Sequence, residues 1–103
     1  MSRHAPLFLE LRAGDLGLAL VDGETVSGQS PRSLTWRLES HGADGISYSM
    51  VVHSNGHAEW GVNDGRGWRQ WRRPKGATSS LIRQRINNMR AWADRKRAER
   101  SAA

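Results

Sequence analysis

The apolar residues between Thr78 and Ala93 recur at helical spacing, and this limits what the chain can fold into more than any other stretch. Ile82, Ile86, Met89 and Ala93 fall on one stripe at i, i+4, i+7 and i+11, with Leu81 and Trp92 flanking it. The Thr78-Ser79-Ser80 cluster supplies N-cap hydroxyls just after the helix-averse Pro74 and Gly76. Beyond Ala93 the same angular positions carry Lys96, Arg97 and Arg100. The spacing therefore predicts a helix over about 79–99, buried as far as Ala93 or Asp94. Its basic end should project into solvent, and residues 100–103 should fray. Such a stripe needs an apolar surface to cover.

The preceding residues offer that surface as strands. Leu7, Leu9 and Leu11 alternate with polar or opposite-face residues, so 7–13 reads as a strand. A Gly14-Asp15 turn would pair Leu11 with Leu18 and Leu9 with Leu20. Asp22-Gly23 leads into a short strand over 24–28 whose register is open. Leu34, Trp36 and Leu38 alternate on the next strand, and 41–45 is a turn. Ile46, Tyr48, Met50 and Val52 then alternate, as do Ala58, Trp60 and Val62. A two-residue Asn55-Gly56 turn would set these apolar faces against each other's polar ones. A three-residue Ser54-Asn55-Gly56 loop, with Gly56 left-handed, pairs Val52 with Ala58 and Met50 with Trp60. An Asp64-Gly65 type I′ turn would pair Gly61 with Trp68 and Ala58 with Trp71. That register places Trp71 in the core and Trp68 outside, over the strand glycine. The expectation is a single α+β domain over 1–103: an antiparallel meander of six to seven short strands within 7–73, then one long C-terminal amphipathic helix packed on the sheet.

Charge divides the chain in two. Residues 1–62 hold four arginines against seven acids, a net charge of −3, while 63–103 hold twelve Lys/Arg against three acids, a net charge of +9. Such polarity suits a polyanionic partner or an acidic protein surface. The chain has no cysteine, which excludes a disulfide framework and any thiolate metal site. Glu10, Arg12 and Asp15 interrupt the leucine-rich start, leaving no run of the roughly 18 apolar residues that a membrane span needs. No h-region follows residues 1–6, so a cytoplasmic location is expected. No P-loop, G-x-S-x-G or H-E-x-x-H motif and no paired carboxylates occur, so no enzymatic activity is expected.

Three groups of residues carry chemistry. Arg66, Arg69, Arg72, Arg73 and Lys75 surround Trp68 and Trp71, the combination of cations for phosphates and indoles for base stacking. Arg83, Arg95, Lys96 and Arg97 extend this cationic set along the helix. The helix start, with Thr78, Ser79 and Ser80 among basic neighbours, is a possible anion site, although a plain cap is the ordinary role. His53 and His57 oppose each other on the outer sheet face with Glu59 two residues on. Three ligands fall short of the four of a structural zinc site, so this trio reads first as polar residues on a wet face. The sequence thus points to a non-enzymatic, cofactor-free domain binding single-stranded or structured nucleic acid. The alternative is a protein–protein interaction module docking on an acidic surface, such as a small phage- or plasmid-encoded inhibitor of nucleic-acid machinery. The third is a homodimer joined through Trp68 and Val51 on the outer face.

Overall fold

The computed structural model describes residues 19–30 and 32–102. Strands β1 (Glu24–Ser27), β2 (Thr35–His41), β3 (Ser47–His53), β4 (Ala58–Asn63) and β5 (Trp68–Arg73) form one antiparallel sheet in sequential order. A single helix, α1 (Ser79–Ala102), follows. This is the expected α+β arrangement of strand meander and C-terminal helix. The strand number differs: five are present among the described residues, not six to seven. The strand expected over 7–13 lies outside the described residues, and Ala19 and Leu20 are not in a strand.

The β3–β4 hairpin has the three-residue loop that face matching requires. Val52 pairs with Ala58, Met50 with Trp60 and Tyr48 with Val62. Gly56 sits at φ 88°, where a Cβ would be strained, and its N–H donates to the His53 carbonyl at 3.0 Å. His53 N–H donates to His57 O at 2.8 Å, which sets these two residues directly opposite each other.

The β4–β5 hairpin departs from the expected two-residue turn. Asn63 pairs with Trp68, Gly61 with Gln70, Trp60 with Trp71 and Ala58 with Arg73, so the loop spans 64–67. Side-chain chemistry favours the longer loop. Asn63 Oδ1 accepts from Gly65 N–H at 2.7 Å and Gly67 N–H at 3.2 Å, while Asp64 Oδ1 accepts from Arg66 N–H at 3.1 Å. The register moves by two residues, an even number, so each side chain keeps its expected face. Trp68 still covers Gly61, now diagonally: a Cβ there would meet Arg69 O at 2.9 Å and Trp68 Cε3 at 3.3 Å.

The helix packs over β3 and β4. Ile82, Ile86, Met89 and Ala93 are its buried residues, as the periodicity predicts, and they join Leu38, Ile46, Met50 and Val52 in one core. Thr78 is the N-cap, its Oγ1 accepting from Leu81 N–H at 3.2 Å. Beyond Ala93 the helix is mostly exposed, as expected, but its end is tied to two loops and is helical in place of the expected fraying. The helix continues to Ala102, and Arg97 Nε donates to Asp44 Oδ2 at 2.9 Å. Arg100 donates to the carbonyl oxygens of Asp44 and Asp64. The β2–β3 and β4–β5 loops therefore both meet the helix end, and the arginines satisfy oxygens that the turns leave open.

A second tie joins the middle of α1 to the first strand. The Glu24 side chain is fully buried, and Arg90 grips it at 2.7 and 2.9 Å. Tyr48 OH donates to the same carboxylate, as does Val21 N–H at 3.0 Å. Arg90 Nη2 also donates to Ala19 O at 2.9 Å.

Candidate nucleic-acid interface

Every residue of β5 is exposed, because α1 lies over β3 and β4 and leaves this edge strand uncovered. Strand alternation divides the side chains of β5 between two faces. Arg69, Trp71 and Arg73 share the helix side with their partners Val62, Trp60 and Ala58, while Trp68, Gln70 and Arg72 share the outer side. Trp71 is 48% exposed and Trp68 43%. The expectation that Trp71 joins the core is thus corrected: it has the core-side orientation but no helix above it.

On the helix side, the gap between β5 and α1 is an open groove of about 410 Å³. Trp60, Trp71 and Trp92 supply aromatic wall, Met89 reaches it from the core, and Arg69 and Arg85 are its charged residues. Among the described residues no acidic side chain lines it. The Arg85 guanidinium lies 5.4 Å from the Trp60 ring centre, a cation–π distance. Arg85 Nε and Trp92 Nε1 are both buried donors without an acceptor among the described residues. Unpaired buried donors are costly, and a ligand carrying acceptor atoms relieves that cost. Helical spacing continues this wall past the groove, since Arg95 follows Asn88 by seven residues and Lys96 follows Trp92 by four.

On the outer side, Trp68 meets His41 edge to face, with centroids 6.5 Å apart at 76°. Arg72 stands opposite Glu59 on β4. His41 in turn contacts Glu39 at 2.7 Å, and this hydrogen bond, ahead of the nearby Arg37, holds the Glu39 carboxyl below its ordinary range.

The cations named from sequence fall into separate groups. Arg66, Arg69, Arg72, Arg73 and Lys75 form one exposed set on β5 and its flanks, with Arg73 Nε donating to Lys75 O at 3.3 Å. Arg83 is exposed in the first turns of α1, beside Ser79 and Ser80. Thr78 is committed to capping, so the helix start is occupied in the ordinary way. Lys96 pairs with Glu99 at 3.7 Å, Arg95 is exposed, and Arg97 is held by Asp44. Sequence reasoning missed the groove and Arg85 within it. The available signal was that Arg85, Asn88 and Trp92 lie along one flank of the apolar stripe, where a wholly solvated face has no need of an indole.

No protein-family profile, curated protein or solved structure matches this chain. Among the described residues no helix is long and apolar enough to cross a membrane.

Proposed function

We propose that the protein binds single-stranded or structured nucleic acid along β5, with an unpaired base entering the groove between β5 and α1. The observation that carries this reading is the groove itself: three tryptophans and two arginines with no acid beside them among the described residues, opening along the exposed strand β5. Trp71 offers an indole face for stacking, and Trp68 offers a second on the outer side. Arg66, Arg69, Arg72, Arg73 and Lys75 run beside both and suit successive phosphates. Duplex reading in the major groove is disfavoured, because the middle of α1 is committed to the core.

The test is fluorescence anisotropy of labelled single-stranded DNA, duplex DNA and RNA at two salt concentrations, with tryptophan emission followed alongside. Binding should weaken with salt and quench tryptophan. Trp71→Ala should weaken it by about 1–3 kcal/mol, the usual worth of one stacked base, without unfolding the protein. Arg69→Ala should flatten the salt dependence by about one phosphate contact. Absence of binding at low salt overturns the proposal.

A second reading rests on a different observation. Among the described residues the outer edge of β5 has no strand paired to it and bears two exposed tryptophans, a composition that also suits a protein partner with an acidic surface. A small inhibitor or adaptor of nucleic-acid machinery fits that case. It predicts no affinity for nucleic acid and capture of an acidic protein instead.

A further inference from the structure

The β3–β4 hairpin brings three metal-ligating side chains to one point on the outer face, away from the groove. The three-residue loop opposes His53 and His57, and their rings stack with centroids 4.9 Å apart at 20°. Glu59, two residues beyond His57 on the same face, turns one oxygen toward both. Its Oε1 lies 3.2 Å from His53 Nε2 and 3.6 Å from His57 Nε2. One donor atom from each of the three lies within 4.8 Å of the others.

These separations match a specific coordination geometry. A tetrahedral zinc ion with bonds of about 2.0–2.2 Å places neighbouring ligand atoms roughly 3.3–3.6 Å apart. Two of the three edges are already near that length, and the third is no longer than 4.8 Å. His57 Nε2 is moreover buried and has no hydrogen-bond partner among the described residues, so in the Nδ1–H tautomer it is available as a ligand atom. The His53–Glu59 contact is also a hydrogen bond, but that bond does not account for the second imidazole stacked beside it with its Nε2 turned to the same oxygen. The surrounding groups are Thr35, opposite His53 on β2, and Arg72, opposite Glu59 on β5. Neither supplies a fourth ligand, and the Arg72 charge competes for Glu59.

We propose that His53, His57 and Glu59 form a three-ligand site for a zinc-type divalent cation, with the remaining position open to water or to an anionic oxygen. Imidazole and carboxylate are the donors such a cation accepts, and two histidines favour zinc over calcium or magnesium. The site lies on the opposite side of the sheet from the groove and stands independently of the nucleic-acid reading.

Zinc chloride titrated into the full chain tests the assignment, by calorimetry and by NMR of the histidine ring protons. One equivalent should bind and shift the ring signals of His53 and His57, leaving those of His41 in place. His57→Gln and Glu59→Gln should each weaken binding by at least about ten-fold, with the circular dichroism spectrum unchanged. Unperturbed His53 and His57 signals after one equivalent overturn the site. So does zinc affinity that survives both substitutions, because the ion is then held elsewhere.

Discussion

Arg90→Ala is expected to destabilise the fold by about 3–5 kcal/mol, read as a lower urea midpoint at unchanged m-value. The substitution leaves the Glu24 carboxylate fully buried and removes its only cationic partner among the described residues. Tyr48 OH and Val21 N–H remain, but two neutral donors do not offset the desolvation of a charge. A loss below about 1 kcal/mol would show that the pair does not form in solution. The pair also sets a pH dependence. Burial pushes the Glu24 carboxyl up, yet hydrogen bonds from Arg90, Tyr48 and Val21 outweigh it and leave its pKa below the ordinary 4.5. A carboxyl depressed in the folded state stabilises above its unfolded value, and that contribution is lost as pH falls through the folded one. Stability should therefore drop below about pH 4.5, and Arg90→Ala should show a weaker drop. At the alkaline end, burial and the Glu24 hydrogen bond push the Tyr48 hydroxyl up to about 12. A raised phenol stabilises below its unfolded value near 10, so stability should decline again as pH rises from there toward 12.

Ile86→Ala should cost about 2–5 kcal/mol. Ile86 has no exposed surface and belongs to the same buried cluster as Met50, Val52, Ile82 and Met89. Deleting three carbons there removes transfer free energy and leaves a void that sheet and helix close only in part. The adjacent Asn87 is exposed, and Asn87→Ala should change stability by no more than about 0.5 kcal/mol. The contrast between neighbours in one helix, measured by urea unfolding, tests the packing stripe and not helix propensity.

Much of this architecture is readable from local pattern. The 3.6-residue spacing of Ile82, Ile86, Met89 and Ala93 marks the buried helix face, and matching of apolar faces selects the loop between β3 and β4. Both rest on periodicity, which sequence shows directly. The β4–β5 loop was harder, because Asp64-Gly65 carries a strong two-residue turn signal while Asn63 and Gly67 close a longer loop. The two-residue difference in register keeps the faces and changes each partner. What the spacing cannot show is which strand the helix covers. That choice decides whether Trp71 is core or groove, and it depends on packing across the whole sheet. Nor does spacing reveal that Arg90 finds Glu24, or that Arg97 and Arg100 reach two turns. As sequence, each is one more arginine on a basic helix. The histidine trio was visible as residues, but its convergence on one oxygen required coordinates.

The sequential order of the sheet bears on how the chain reaches this state. Among the described residues every strand pairs only with its neighbours along the chain, so four short hairpin closures assemble this sheet. The Glu24–Arg90 contact closes a loop of 66 residues and becomes available only once sheet and helix have met. An interaction formed that late acts on the barrier to leaving the native basin and little on the barrier to entering it. In a chevron plot Arg90→Ala should therefore steepen escape, raising the unfolding rate while the refolding limb stays close to that of the parent chain. The buried pair acts as a kinetic latch on a sheet whose described strands pair with their chain neighbours.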